Sequence, residues 1–322
     1  MTRILQQAPN FGQTNPAQPI VFFGTEDFSL LTLKALVQSG YSISAVVTKP
    51  DSRQGRGQKL TPPKVKVYAE QHSIDVWQPI KLTAITEKIK ALGSPVGVLV
   101  SYGKIIPQSV IDLFTPGIIN IHPSLLPVYR GPSPVESAIL NGDNQTGVSI
   151  MLLSADMDAG PVYVQKPLTL TGNEQIQQLY DSLGKIGIDL LVKHLPSILS
   201  CTLLPTAQKA EAATYCHLIS KTDGVINWQQ SATIIERKVR AYQNWPKTRT
   251  KIGSAEVIIT SAHVQAKHGA QPGTIETCDE QAGILSIATG DGILVLDTIQ
   301  PVGKKEMPVK AFLAGYKSQL IQ

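Results

Sequence analysis

Short apolar runs alternate with amphipathic segments through the first two hundred residues. Pro19–Phe23, Ser42–Thr48, Val96–Ser101, Gly117–Ile121 and Thr146–Leu153 are apolar stretches bounded by turn residues, the pattern of buried strands. Between and after them, Asp27–Gln38, Val65–His72, Ile105–Phe114, Pro134–Leu140 and Gln175–Leu199 read as helices. Strands alternating with helices predict an α/β fold, a mostly parallel sheet covered on both faces. Such sheets bind ligands at the carboxyl ends of their strands, which places Gly24, Tyr102 and Asn120–His122 on one rim.

The pattern changes near residue 200. Cys201–Ala213 is small and polar and reads as a linker. Ser231–Tyr242 reads as one helix. The short alternating runs Ala255–Ser261, Gly273–Thr277, Gly283–Thr289 and Gly292–Ile299 then predict a small β-barrel. The expected organisation is a tail over 1–18, a first domain over 19–200, a linker over 201–218 and a second domain over 219–322.

Composition narrows the class. A chain of 322 residues with 42% hydrophobic and 16% charged residues is globular and long enough for two cores. The net charge of +5 is compatible with a polyanionic partner without requiring one. Cys201, Cys216 and Cys278 form no CxxC, and no two histidines stand at ligand spacing. A zinc site and a disulfide framework are therefore not expected, and a reducing compartment is. No apolar run reaches the roughly 18 residues of a membrane helix. Met1–Gln18 lacks the apolar core of a secretory signal and reads as a flexible tail.

Candidate chemistry concentrates in residues 118–134. Asn120 and His122, two apart on a strand, point to the same side. By themselves they fit a capped strand end with a structural histidine better than a reaction site. The loop that follows is stiffened by Pro123, Pro127, Pro132 and Pro134. A second polar turn, Asp156-Met157-Asp158, follows the strand that ends at Leu153. A carboxylate beside an imidazole orients it and favours its charged form. A carboxamide can donate to a developing oxyanion. Such a trio suits attack of an amine on a carbonyl carbon, and no GxSxG serine or nearby cysteine offers a nucleophile.

The turn Gly24-Thr25-Glu26-Asp27 lacks the later glycines of a dinucleotide fingerprint. Residues 49–66 carry six basic side chains, Lys49, Arg53, Arg56, Lys59, Lys64 and Lys66, against the single acid Asp51. Glycines flank Arg56. This stretch is a solvated loop or a phosphate-binding one. Arg237, Lys238 and Arg240 on the later helix, and Gly303-Lys304-Lys305, are further basic clusters.

With these residues in view, the chain resembles the methionyl-tRNA formyltransferase family of the folate-dependent formyltransferase superfamily, from about Ile20 to about Leu313. The matching segments include Phe23-Gly24-Thr25, Gly55-Arg56-Gly57, Ser101-Tyr102-Gly103, Asn120-Ile-His122-Pro-Ser124-Leu-Leu-Pro127, Arg130-Gly131, Met157-Asp158-Ala-Gly160, Asp223-Gly-x-Ile-x-Trp228 and Asn244-Trp-Pro246. The Asn-x-His segment with the later Asp-x-Gly marks the superfamily. The Gly-Arg-Gly loop and the second domain separate its members. Pro123 and Pro132-Ser133-Pro134 stand where the family more often carries Gly or Ala.

The resemblance implies a Rossmann-like formyltransferase domain and an OB-like second domain. It implies Asn120, His122 and Asp158 as catalytic residues. Ser124, Leu125, Leu126 and Pro127 would contact folate, with Val98, Tyr102 and Gly103 forming the wall for the pterin. Arg53, Arg56, Lys59, Lys304 and Lys305 would contact tRNA. The implied reaction is formyl transfer from 10-formyltetrahydrofolate to methionyl initiator tRNA by a cytoplasmic, metal-free, monomeric enzyme. The other readings are a formyltransferase acting on an amino-sugar nucleotide, a formyl-tetrahydrofolate hydrolase and a non-catalytic RNA-binding module. Arg56→Ala is expected to weaken use of tRNA while folate binding holds; an equal loss of folate affinity would contradict the assignment.

Overall fold

The structure, a computed structural model, describes residues 18–54, 57–266 and 270–320. Arg56 and the expected tail up to residue 17 lie outside the described residues. The last residue assigned to that tail is anchored: the Gln18 amide donates to the carbonyls of Ser94 and Thr115 at 2.9 and 2.6 Å.

Contacts divide the chain into two compact units. The first holds residues up to Arg130 with Gly147–Pro167 and Leu183–Thr214. The second holds Gly131–Thr146, Leu168–Ser182 and the chain from Tyr215 onward.

In chain order the first elements are β1 (Ile20–Gly24), α1 (Asp27–Gln38), β2 (Ile43–Val47), β3 (Ser52–Gln54), β4 (Lys59–Thr61), α2 (Lys64–Gln71), β5 (Asp75–Trp77), α3 (Thr86–Lys90), β6 (Val96–Val100), α4 (Gln108–Ile111) and β7 (Ile118–His122). They are followed by α5 (Pro134–Asn141), β8 (Gln145–Leu152), β9 (Val162–Thr169) and α6 (Ile176–Leu199). One sheet runs β5-β2-β1-β6-β7-β8-β9. The pairs β2–β5, β1–β2, β1–β6 and β6–β7 are parallel, and β7–β8 is antiparallel. Gly24 pairs with Val100 and Leu99 with Asn120, so the carboxyl ends of β1, β6 and β7 share one edge.

β1 and β7 are buried at every position, which is why they read as unbroken apolar runs rather than alternating ones. On one side of the sheet Phe23 packs edge-on against Tyr102 and Phe114, with centroids 5.8 and 5.7 Å apart, in a cluster with Val47 and Ile118. On the other side Ile121 meets α6. A Cβ on Gly187 would lie 2.6 Å from Ile121 Cγ2, so α6 approaches β7 to a distance only glycine allows. The Ser29 hydroxyl donates to the Val100 carbonyl at 2.5 Å, tying α1 to the end of β6.

The second unit contains α7 (Ala232–Ala241), β10 (Thr248–Ile252), β11 (Ala255–Gln265), β12 (Ile275–Asp279), β13 (Ile284–Ala288), β14 (Ile293–Pro301), β15 (Met307–Pro308) and α8 (Val309–Leu320). Its sheet is antiparallel, ordered β10-β11-β14-β13-β12, with β15 beside β14. Ile235 and Val239 from α7, and Phe312 and Leu313 from α8, pack with Val257, Leu285, Leu294 and Ile299 into one core. Trp228 packs against that core and donates from Nε1 to the Thr250 hydroxyl.

One expectation is corrected. The helix expected over Ile105–Phe114 shrinks to α4. Pro107 holds the entry extended, and proline also biases the residue before it away from helix. Within the stretch expected as a linker, Thr206 bridges to Val162 on β9 with backbone hydrogen bonds of 2.8 Å both ways. Two members of the basic cluster on α7 are also engaged within the fold. Arg240 is buried on Glu236 at 2.6 Å and donates to the Glu174 carbonyl, while Arg237 donates to the Asn141 carbonyl.

Gly187→Val should cost about 1–3 kcal/mol through overpacking against Ile121. A thermal midpoint equal to that of the unchanged protein would refute the close α6–β7 contact.

Candidate active site

β7 carries Asn120 and His122 to the strand edge, 5% and 4% exposed. Asp158 arrives from the turn between β8 and β9, its backbone in the left-handed region at φ 50. His122 Nε2 lies 2.9 Å from the Tyr129 carbonyl. A carbonyl only accepts, so Nε2 carries a proton and the tautomer is fixed from that side. His122 Nδ1 faces Asp158 Oδ2 at 3.7 Å, an ion-pair separation beyond hydrogen-bond length. The Asn120 carboxamide makes no side-chain hydrogen bond to another described residue, so its NH2 remains a donor for a ligand. The three groups thus converge: a carboxamide with spare donors, an imidazole held at one nitrogen, and a carboxylate facing the other.

The loop after β7 is locked by its own polar atoms. Ser124 donates from its hydroxyl to the Val128 carbonyl at 2.5 Å and from its N–H to the His122 carbonyl at 2.9 Å. Ser149, fully buried on β8, donates to the Ser124 carbonyl at 2.6 Å and accepts from the Leu126 N–H at 3.0 Å and Gln165 Nε2 at 2.8 Å. Gln165 also donates to the Leu126 carbonyl. The Leu126–Pro127 bond is cis. A side chain on Gly147 would meet Leu125 and the Lys166 carbonyl, so glycine lets β8 lie against this loop. Leu126 and Pro127 line a groove of about 370 Å³ with Tyr163, Gln165, Thr206 and Gln208. The Ser124 hydroxyl is therefore committed to shaping the loop, while buried Leu126 and partly exposed Pro127 line the groove.

On the neighbouring strand end, Val98 and Tyr102 are buried and Gly103 is exposed. The Tyr102 hydroxyl is buried without a hydrogen-bond partner among the described residues, and burial pushes its pKa up from 10.0 to about 12. The Tyr102 carbonyl accepts from the Thr25 hydroxyl at 3.2 Å, which joins the ends of β1 and β6. Gly103 takes φ 70, and a Cβ there would strike the Lys49 ammonium. The expected pterin wall is thus a buried strand end whose outward-facing part is backbone.

The basic stretch folds as the β3–β4 hairpin. Lys64 pairs with Asp27 at 2.7 Å, and Lys66 with Asp51 at 2.9 Å. Hydrogen bonds from Gln78 and Lys66 hold the Asp51 carboxyl below its usual pKa. The pairs at the base leave Arg53 and Lys59 exposed on the hairpin. Arg53 also donates to the Gln58 carbonyl. Lys304 and Lys305 are exposed on the turn after β14.

Sequence reasoning missed Tyr129, Ser149 and Gln208. Tyr129 acts through its carbonyl, which any residue carries. Ser149 looks like an ordinary strand serine, and Gln208 sits in a stretch that reads as a linker.

Buried Asn120 and His122 and half-buried Asp158 lie beside a hydrogen-bonded loop at the rim of a mostly parallel sheet, an arrangement whose chemistry suits acyl-type group transfer. The chain belongs to the formyl transferase family: the model for the formyl transferase domain matches residues 18–195, and that for its C-terminal domain matches residues 218–317. Proteins called methionyl-tRNA formyltransferase align nearly end to end. The one from Chloroflexus aurantiacus is 40% identical over 306 residues, covering 94% of this chain and 98% of that relative. The one from Citrifermentans bemidjiense is 37% identical over 302 residues, covering 93% and 94%.

Among solved structures, an N-formyltransferase from Helicobacter canadensis in complex with folinic acid and dTDP-3-aminofucose shares the fold. Its TM-score is 0.65 at 18% identity, over 89% of this chain and 99% of that one. HypX from Aquifex aeolicus in complex with tetrahydrofolic acid gives 0.63 at 18% identity, over 93% of this chain and 47% of that one.

Ser149→Ala strands the Leu126 N–H and the Ser124 carbonyl, and should destabilise by about 1–3 kcal/mol with a matching fall in thermal midpoint. An unchanged midpoint would show that the loop does not rely on this hydroxyl.

Proposed function

We propose that the protein transfers the formyl group of 10-formyltetrahydrofolate to the α-amino group of methionyl initiator tRNA. The observation that carries this is the likeness, through both domains and nearly end to end, to proteins called methionyl-tRNA formyltransferase. The geometry around His122 supplies the chemistry.

The amine nitrogen forms a bond to the formyl carbon, the bond from that carbon to N10 of the folate breaks, and the amine proton ends on N10. A free α-amino group has a pKa near 8, so a neutral attacking form is accessible at physiological pH. Negative charge builds on the formyl oxygen in the transition state. The Asn120 NH2 is the donor with spare capacity for it, and in the imidazolium form of His122, with both ring nitrogens protonated, Nδ1–H is the second. Because Nε2 is engaged by Tyr129, only the Nδ1 edge of the ring serves the reaction. Asp158, facing that edge, relays the proton from amine to N10. The Leu125–Pro127 loop and the Tyr102–Gly103 backbone are assigned to the folate, and the latter meets a planar ring through backbone groups. Arg53, Arg56, Lys59, Lys304 and Lys305 are assigned to the phosphates of the tRNA.

Incubated with 10-formyltetrahydrofolate and methionyl initiator tRNA, the protein should yield formylmethionyl-tRNA. Asn120→Ala and His122→Ala should each lower kcat by about 100-fold or more. Formylation of a sugar-nucleotide amine in its place, or formate release without tRNA, would overturn the assignment.

A further inference from the structure

The chain between the two matched domains touches the turn that carries Asp158. Gln208 Nε2 donates to the carbonyls of Asp158 and Gly160 at 2.8 and 2.6 Å. Its Oε1 accepts from Arg130 Nε and Nη2 at 3.1 and 2.8 Å. A guanidinium only donates and a carbonyl only accepts, so one orientation of the amide satisfies all four contacts. Arg130 is itself buried. A side chain on Gly160 would strike the Leu152 carbonyl, so the Asp158–Gly160 turn is pinned between β8 and Gln208.

The other side of the imidazole is tied to the same segment. Thr214 accepts from the Tyr129 N–H on its hydroxyl at 2.8 Å and from the Arg130 N–H on its carbonyl at 2.9 Å. Tyr129 has φ 58 and Asp158 has φ 50, a left-handed backbone that non-glycine residues hold only when their surroundings over-determine it. The contacts close a circuit: His122 Nε2 to the Tyr129 carbonyl, the peptide to Arg130, the guanidinium to Gln208, the amide to the Asp158 backbone, and the Asp158 carboxylate back to His122 Nδ1.

The geometry points to Gln208 as a positioning residue for formyl transfer, a buttress that sets the Asp158 carboxylate against His122 and is anchored by Arg130. It rests on the formyl-transfer function proposed above. Gln208 touches no reacting atom. Its effect reaches the reaction through Asp158, so its loss should appear in turnover rather than in substrate binding.

The test measures kcat and both KM values for Gln208→Ala and Gln208→Glu, alone and combined with Asp158→Asn, with thermal midpoints for each. Gln208→Glu keeps the partner of Arg130 and the side-chain volume while removing both N–H donors. Each single variant should lose about 10- to 100-fold in kcat, the size of effect a misplaced catalytic group produces, with KM values within about twofold. In the Asp158→Asn background the same changes should alter kcat by less than about twofold, because two residues acting through one group are non-additive.

A kcat equal to that of the unchanged protein, a loss confined to KM, or an undiminished further loss in the Asp158→Asn background overturns the assignment. So does loss of folding in both Gln208 variants, which would make the residue a fold element. An unchanged protein that formylates no methionyl-tRNA would instead defeat the functional reading, and this inference with it.

Discussion

The hydrogen bond from His122 Nε2 to the Tyr129 carbonyl is the constraint on which the site depends. A backbone carbonyl has no proton to give, so it dictates which ring nitrogen is occupied. The imidazole then has one working edge, the one facing Asp158. A side-chain partner such as serine could donate or accept and would leave the tautomer open. The carbonyl is in place only because the loop after β7 turns back through Tyr129 in a left-handed conformation, so loop shape and site electrostatics are one problem.

That loop is rigid through hydrogen bonds more than through its prolines. Ser149 sits on the strand antiparallel to β7, with its residue directly opposite His122. It gathers one carbonyl, one N–H and one amide onto a single buried hydroxyl. In a water-excluded site such a network is strong when complete and costly when broken. The strand that carries His122 and the strand that shapes the neighbouring loop are therefore held in register by the same β-ladder.

Charge is partitioned in the same economical way. Of the basic residues that crowd the chain between 49 and 66, Lys64 and Lys66 are bound to acids at the base of the hairpin, while Arg53 and Lys59 stay exposed on it. On α7, Arg237 donates to the last carbonyl of α5, and Arg240 is held by Glu236 on the same helix and donates to the Glu174 carbonyl before α6. A basic count along a sequence therefore overstates the charge available to a polyanion.

The sequence by itself determined the alternation of strands and helices, the shared edge of Gly24, Tyr102 and Asn120–His122, and the change to a strand-rich second unit, expected as a small β-barrel and folded around an antiparallel sheet. Those properties follow from local apolar periodicity and from the sidedness of a strand, which neighbouring residues encode. It misplaced the helix before β7, where Pro107 outweighs an apolar pattern, and it left short elements such as β5 and β10 unseen because three to five residues carry little periodicity. Only the tertiary structure decided which nitrogen of His122 is engaged, that Ser124 shapes its loop, and that residues 206–214 also contact the turn of Asp158 and the loop after β7. Each of those facts rests on contacts between residues distant in sequence, such as Gln208 with Asp158 or Ser149 with Leu126, and many are made through backbone atoms that every residue shares. A sequence records which side chains are present, but the carbonyl that fixes an imidazole is chosen by the fold.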